Sequence, residues 1–242
     1  MDKFKGLSRR NLLKLGAGAI GTGAITAWWG SEAINQIGSP LMAAEIAAAE
    51  NDITPDQALK KLMDGNLRFV TKKRENPNQS FARLVEVAKG QAPFAAILSC
   101  ADSRVVPEII FDQGIGDVFV VRVAGNVCTK EELASEEFAS LVLGAKVLMV
   151  IGHQSCGAVK AAIEAKKLPG SLDSLVAAIK PAVDSSAKEK GDRLDNAIKA
   201  NVKLQTQRLK ASPIISKLNQ EGKLTIVGGY YSLDTGEVTI IS

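Results

Sequence analysis

The chain has 242 residues, of which 46 % are hydrophobic, 23 % charged and 5 % aromatic, with 21 Gly, 8 Pro and 3 Cys. These proportions belong to an ordinary globular protein and exclude a disordered polymer, a collagen-like repeat and a multi-span membrane protein. The formal charge of +4 is too small for the basic patch of a nucleic-acid binder, so no nucleic acid is expected as a partner. Three cysteines are too few for a disulfide scaffold, and beside a single histidine they point to metal or catalysis.

Residues 1–49 read as a targeting segment and 50–242 as one domain. Ser8-Arg9-Arg10-Asn11-Leu12-Leu13-Lys14, followed by the uncharged stretch Leu15–Ser31, resembles a twin-arginine export signal. Gly16, Gly18, Gly21 and Gly23 dilute that stretch below the hydrophobicity of a stable membrane anchor. Small residues from Ala43 to Ala49 offer cleavage after either end of that run, while an uncleaved segment would leave the protein tethered. The expected location is periplasmic, or otherwise across a bacterial-type inner membrane, with the export machinery as a partner before maturation. Export of folded protein suits a chain that takes up a metal in the cytoplasm. Gly16-Ala17-Gly18-Ala19-Ile20-Gly21 also fits a dinucleotide-binding pattern, but no strand precedes it and it falls inside the export segment, so that reading is rejected.

From Thr54 a helix begins: Thr54-Pro55-Asp56 supplies a cap and a first-turn proline, and Ala58, Leu59, Leu62, Leu67, Phe69 and Val70 recur at helical spacing. A polar break runs from Thr71 to Ser80. Phe94–Cys100, Asp117–Val123 and Lys146–Gly152 are short apolar runs that read as strands covered on both faces, with a helical segment around Glu131–Leu143 before the third. Stretches 172–189 and 192–221 read as helices. Leu224–Tyr231 and Val238–Ile241 read as strands joined across Asp234-Thr235-Gly236. Parallel strands need crossovers, so this order predicts an α/β domain of three layers: a mostly parallel central sheet with an antiparallel edge strand, flanked by helices.

In such sheets ligands bind beyond the carboxyl ends of the strands. There the chain carries Cys100-Ala101-Asp102-Ser103-Arg104 after the first strand and His153-Gln154-Ser155-Cys156-Gly157 after the third. Cys100, His153 and Cys156 supply two thiolates and one imidazole, the ligands of a catalytic zinc site that keeps a fourth position for water. His153 and Cys156 lie three apart at a strand-to-helix turn, with Gly157 expected to give the backbone room. Inert buried thiols, or a Cys100–Cys156 disulfide after export, are the alternatives. Asp102 and Arg104 taken alone read as a surface ion pair, and their place beside Cys100 is what turns the reading toward chemistry.

Cys-x-Asp-Ser-Arg with His-x-x-Cys-Gly about fifty residues later resembles the β-class carbonic anhydrases, over the whole stretch from Asn51 to Ser242. The resemblance implies reversible hydration of carbon dioxide to bicarbonate and a proton by zinc-bound hydroxide, with one zinc ion per subunit. It also implies a homodimer or higher homo-oligomer whose N-terminal helices embrace the partner. Zinc with two thiolates has no net formal charge and acidifies water less than a three-histidine site, so activity is expected to climb toward alkaline pH. Asp102 and Arg104 are the catalytic pair, Arg104 keeping the carboxylate ionised and off the metal; a swing of Asp102 onto zinc would fill the fourth position and close the site. By the same resemblance Gln91, Phe119 and the backbone of Gly157 contact substrate, the first two across the dimer interface; a solvated loop amide and a core phenylalanine are the plain readings of Gln91 and Phe119.

Some members carry a tryptophan three residues before the first zinc cysteine, in a pocket for inhibitory bicarbonate. Here that residue is Ile97, which predicts an open, constitutively active site, although Arg122 with Tyr230 or Tyr231 leaves room for a variant pocket. Cys128 reads as a small buried hydrophobe. With the only histidine on zinc, protons must leave through buffer, water or a non-histidine group. Two other functions compete: hydrolysis of carbonyl sulfide or carbon disulfide on the same zinc, and a nonenzymatic zinc-storing or thiol-redox role, which leaves Asp102 and Arg104 unexplained.

Overall fold

The computed structural model describes residues 52–165 and 168–242; the segment assigned to targeting, 1–49, lies outside them. Helix α1 (Pro55–Val70) is fixed at its start by a reciprocal capping box between Thr54 and Gln57 with Pro55 in the first turn. It buries Ala58, Leu62, Gly65 and Asn66, one stripe at helical spacing. Leu67 belongs to the same apolar series but is 61 % exposed, because nine residues carry it about half a turn away from Ala58. Gly65 is where the helix backbone meets the chain beneath it: a Cβ there would lie 1.8 Å from the carbonyl oxygen of Phe111. Gly65→Ala is therefore expected to destabilise the protein by about 3 kcal/mol, read as a lowered midpoint in thermal or urea unfolding.

The polar break contains one more short helix, α2 (Phe81–Val87), capped by Ser80 and with no buried residue; its lack of a core stripe is why the sequence pattern hides it. Strand β1 (Ala95–Ser99), helix α3 (Pro107–Ile110), strand β2 (Val118–Arg122), helix α4 (Lys130–Leu141), strand β3 (Val147–His153) and helix α5 (Gly157–Glu164) follow. Then come α6 (Leu172–Ser185), α7 (Arg193–Lys210), α8 (Pro213–Gln220), β4 (Thr225–Tyr231) and β5 (Val238–Ile240). The stretch read as one helix over 192–221 is two, since Pro213 cannot continue a helix and Ser212 caps the new one by accepting the Ile215 N–H.

The sheet order is β2-β1-β3-β4-β5, parallel throughout except for the antiparallel β4–β5 pair, as the crossover argument required. Side chains alternate across it. Ala95, Ile97, Val147, Met149 and Val227 meet Ala58, Leu62 and Phe111 on one face, while Ala96, Leu98, Leu148, Val150 and Ile226 meet Ala139, Val202, Leu209 and Ile215 on the other. β1 and β3 are buried at every position. β2 is only half-covered and ends in an exposed Arg122, because it is the edge strand; the expectation of cover on both faces fails there. Among the described residues no helix is long and apolar enough to cross a membrane.

Candidate metal centre and active site

Ser99 of β1 is paired with Ile151 of β3, so the residues just beyond these two strand ends emerge side by side. Cys100 follows β1, His153 closes β3, and Cys156 is the N-cap of α5. All three are buried, and their ligand atoms lie within 4.8 Å of one another. The imidazole is already set for a metal. Its Nδ1 lies 2.9 Å from the Gln154 carbonyl oxygen, which can only accept, so Nδ1 carries the proton and Nε2 presents a lone pair. Nε2 is buried with no hydrogen-bond partner among the described residues, as a ligand awaiting a cation is.

The sulfurs fit the same occupant. Cys100 Sγ accepts the Gly125 N–H at 3.2 Å. Gly125 has the left-handed φ of 73°, and its carbonyl accepts from Asn201 Nδ2 at 2.8 Å, so a buried residue of α7 holds the peptide that follows the one facing the thiolate. The neighbouring Cys156 thiol pulls Cys100 down to about 4 against the opposing effect of burial, and Cys100 together with burial pushes Cys156 up. Two sulfurs this close hold their protons unequally, and a divalent cation replaces both protons. Two thiolates and one imidazole are the donors of a zinc centre.

The tight turn between the ligands is made by Ser155, at φ 57°. Gly157 does not supply it: its φ is not positive and a Cβ there would meet nothing within 4 Å. Gly157 opens α5 with an exposed backbone next to Cys156.

Asp102 and Arg104 form a closed fork. Arg104 donates Nε and its backbone N–H to Asp102 Oδ1, each at 2.9 Å, and a terminal nitrogen to Oδ2 at 2.8 Å. The guanidinium holds the Asp102 carboxyl well below the usual carboxylate range. Oδ2 also lies 3.8 Å from His153 Nε2, so the carboxylate borders the centre while both its oxygens are engaged by arginine. Arg122, at the end of β2, donates to the Cys100 and Asp102 carbonyl oxygens at 3.2 and 2.7 Å and so braces the loop from the edge strand.

Gln91 and Phe119 lie elsewhere in the subunit. Gln91 is exposed before β1, and Phe119 is paired with Ala96 near the start of β2, its ring 6.5 Å from Phe138. Phe119 is thus four residues, roughly 13 Å of strand, from the level of Cys100, and Gln91 precedes the far end of β1, so neither is placed beside the centre of its own chain. Ile97 is core. Tyr230 donates to Asp195 at 2.7 Å and Tyr231 is buried. Cys128 is free and buried. Asn201, Gly125 and Gln154 act around the site without any motif to announce them.

The family model for carbonic anhydrase matches residues 95–238, which contain every residue of the centre. Carbonic anhydrase 2 of Mycobacterium tuberculosis is 42 % identical over 191 residues, 77 % of this chain and 92 % of its own. A solved Coccomyxa β-carbonic anhydrase in complex with acetazolamide is 30 % identical, with a TM-score of 0.62 over 74 % of this chain and 84 % of that one. A tetrameric β-carbonic anhydrase from Sordaria macrospora has the same fold, with a TM-score of 0.62 over 77 % of this chain and 98 % of that one at 24 % identity. On the convergence of the three ligands, the matched sheet and these relatives together, the chain belongs to the β-class carbonic anhydrase family.

Proposed function

We propose that this protein catalyses the reversible hydration of carbon dioxide to bicarbonate and a proton, using one zinc ion per subunit. The observation that carries the reading is the buried Cys100–His153–Cys156 cluster with the Asp102–Arg104 fork on its border, in a chain of this family. When bound, zinc supplies Lewis acidity that makes water ionisable, less strongly than at a three-histidine site because two thiolates cancel its charge. The protein's own residues do the rest. Cys100, His153 and Cys156 hold the ion, and Asp102, kept ionised by Arg104, is the acceptor for a water proton at Oδ2. Arg122 keeps the loop that carries both in place. Carbonyl sulfide or carbon disulfide as substrate has no feature of this chain in its favour.

The placement of Gln91 and Phe119 away from their own centre supports the reading that they would contact substrate from a second copy, with the homodimer as the working unit. A homo-oligomer accords with the tetramer named for the Sordaria relative. The paired arginines at Arg9 and Arg10 support export to the periplasm or an equivalent compartment, with the export machinery as an earlier partner.

Stopped-flow hydration of carbon dioxide is the test. The zinc-loaded protein should be active, and the chelated protein and Cys100→Ala should be inactive. The rate should rise from neutral toward alkaline pH, and it should rise with buffer concentration because His153, the only histidine, is a ligand and no other imidazole remains to carry protons. Activity that survives complete zinc removal, or an acid optimum, overturns the reading.

A further inference from the structure

Gln154 lies between the ligand His153 and the strained Ser155, and every polar group it has is engaged. Its backbone N–H donates to the Tyr231 carbonyl at 2.9 Å, continuing the β3–β4 ladder past its last pair, His153 with Tyr231. Its carbonyl takes the His153 Nδ1 proton. The side chain reaches eighty residues along the chain to the connection between β4 and β5. Oε1 accepts the Leu233 and Asp234 backbone N–H groups at 2.9 and 3.2 Å, and Nε2 donates to Asp234 Oδ2 at 2.7 Å.

We infer that Gln154 is a positioning residue for the metal centre, a staple that ties the His153–Cys156 turn to the β4–β5 connection and thereby fixes the peptide whose carbonyl orients the imidazole. The inference rests on the zinc reading. Its physical content is second-sphere control: a histidine ligand is held to one tautomer and one ring orientation by the acceptor on its other nitrogen. Here that acceptor is a main-chain carbonyl, which can turn with its peptide. The N–H side of Gln154 is held by Tyr231. The other side leads into Ser155 at φ 57°, a conformation that a non-glycine residue leaves readily unless its surroundings impose it. The amide of Gln154 imposes it. It spans from the turn to the Leu233 and Asp234 backbone donors at the near end of a hairpin whose far end, Gly236 and Val238, is held by Asn66 of α1, and the Asp234 carboxylate completes the grip. Asparagine is one methylene too short for the span. Glutamate keeps the acceptor for the two N–H groups but sets a second carboxylate against Asp234.

The experiment measures zinc release from the loaded, full-length protein into excess 4-(2-pyridylazo)resorcinol, together with the visible spectrum of the cobalt(II)-substituted form and the thermal midpoint. Wild type, Gln154→Ala, Gln154→Glu, Asp234→Asn and the double variant Gln154→Glu with Asp234→Asn are compared. Zinc should leave Gln154→Ala and Gln154→Glu about tenfold faster, with a changed cobalt spectrum. Asp234→Asn keeps an acceptor for Nε2 and should match wild type. The double variant rebuilds the bond with donor and acceptor exchanged and should return both release rate and spectrum to wild type, a recovery that a role in general stability does not predict. Wild-type release and spectrum in both single Gln154 variants overturn the inference, as does a double variant that melts like wild type but still releases zinc fast. If Gln154→Ala does not fold, the comparison of Gln154→Glu with the double variant decides. Wild type that takes up no stoichiometric zinc overturns the zinc reading and this inference together, whereas zinc-loaded variants with unaltered release overturn this inference alone.

Discussion

Asp102→Asn is expected to bind a full equivalent of zinc, keep the wild-type melting temperature within a few degrees, and hydrate carbon dioxide at least about a hundredfold more slowly. The substitution leaves a side chain of the same shape with one oxygen for Arg104, so the loop from Cys100 to Arg104 retains a partner. What it removes is the negative charge. In the native site both carboxylate oxygens accept from Arg104, the main cause of a carboxyl held far below its usual range. The carboxylate therefore remains ionised well into acid, and an alkaline rise in activity cannot be its titration. This also separates Asp102 from the ligands. Cys100→Ala should lose zinc and activity together; Asp102→Asn should lose activity alone. Stopped-flow rates beside metal analysis give the answer, and near-native turnover in Asp102→Asn would leave the zinc centre standing while discarding the role given to the Asp102–Arg104 pair.

The second large effect is on stability. Glu136 of α4 is completely buried, and neither of its carboxylate oxygens has a hydrogen-bond partner among the described residues. α4 buries Glu136, Ala139 and Ser140 and packs on β1, β2, β3 and α8. Ionising a carboxyl there costs solvation with nothing to replace it, and burial pushes Glu136 up to about 8. The sign follows from linkage. The folded pKa is raised above the unfolded one, so folding carries no penalty from this group at low pH; the penalty grows once the unfolded chain ionises, near pH 4.5, and levels off above the folded value. Glu136→Gln has almost the same volume and cannot ionise. It should match wild type near pH 4.5 and be more stable by about 3 kcal/mol at pH 7, with the gap widening by about 3 kcal/mol between about pH 5 and about pH 7.5. Urea unfolding of both proteins, zinc-loaded and at one concentration, checks this. A gap of constant size across that range refutes it.

Glu136 also illustrates the limit of reading a sequence. It is one of four glutamates between 131 and 137, a run that looks solvated from end to end. Glu131 and Glu132 lie at the start of α4, where the dipole favours acidic residues. Only the helix's contact with the sheet turns Glu136 inward. β2 gives the opposite case. Its apolar run predicted a strand correctly, but its place at the edge, and with it the half-covered faces and the exposed Arg122, depends on which strand lies beside it. At the turn between the ligands, Gly157 was the residue expected to make room and Ser155 is the one in the left-handed conformation, because the bonds of Gln154, not glycine's freedom, set that backbone.

What the sequence determined by itself is what neighbouring residues decide among themselves. Thr54 and Pro55 start a helix, short near-continuous apolar runs make strands, and the residue types at the ends of those strands carry the chemistry of a thiolate–imidazole metal centre. What only the tertiary structure decided is which distant groups meet. The pairing of β1 with β3 brings Cys100 beside His153. Asn201 reaches Gly125 across 76 residues, Gln154 reaches Asp234 across 80, and Phe119 is set level with Ala96, at the other end of β1 from Cys100. Local conformation follows from sterics and capping within a few residues, whereas these contacts exist only after the chain has closed around a core, so no short window of sequence contains them.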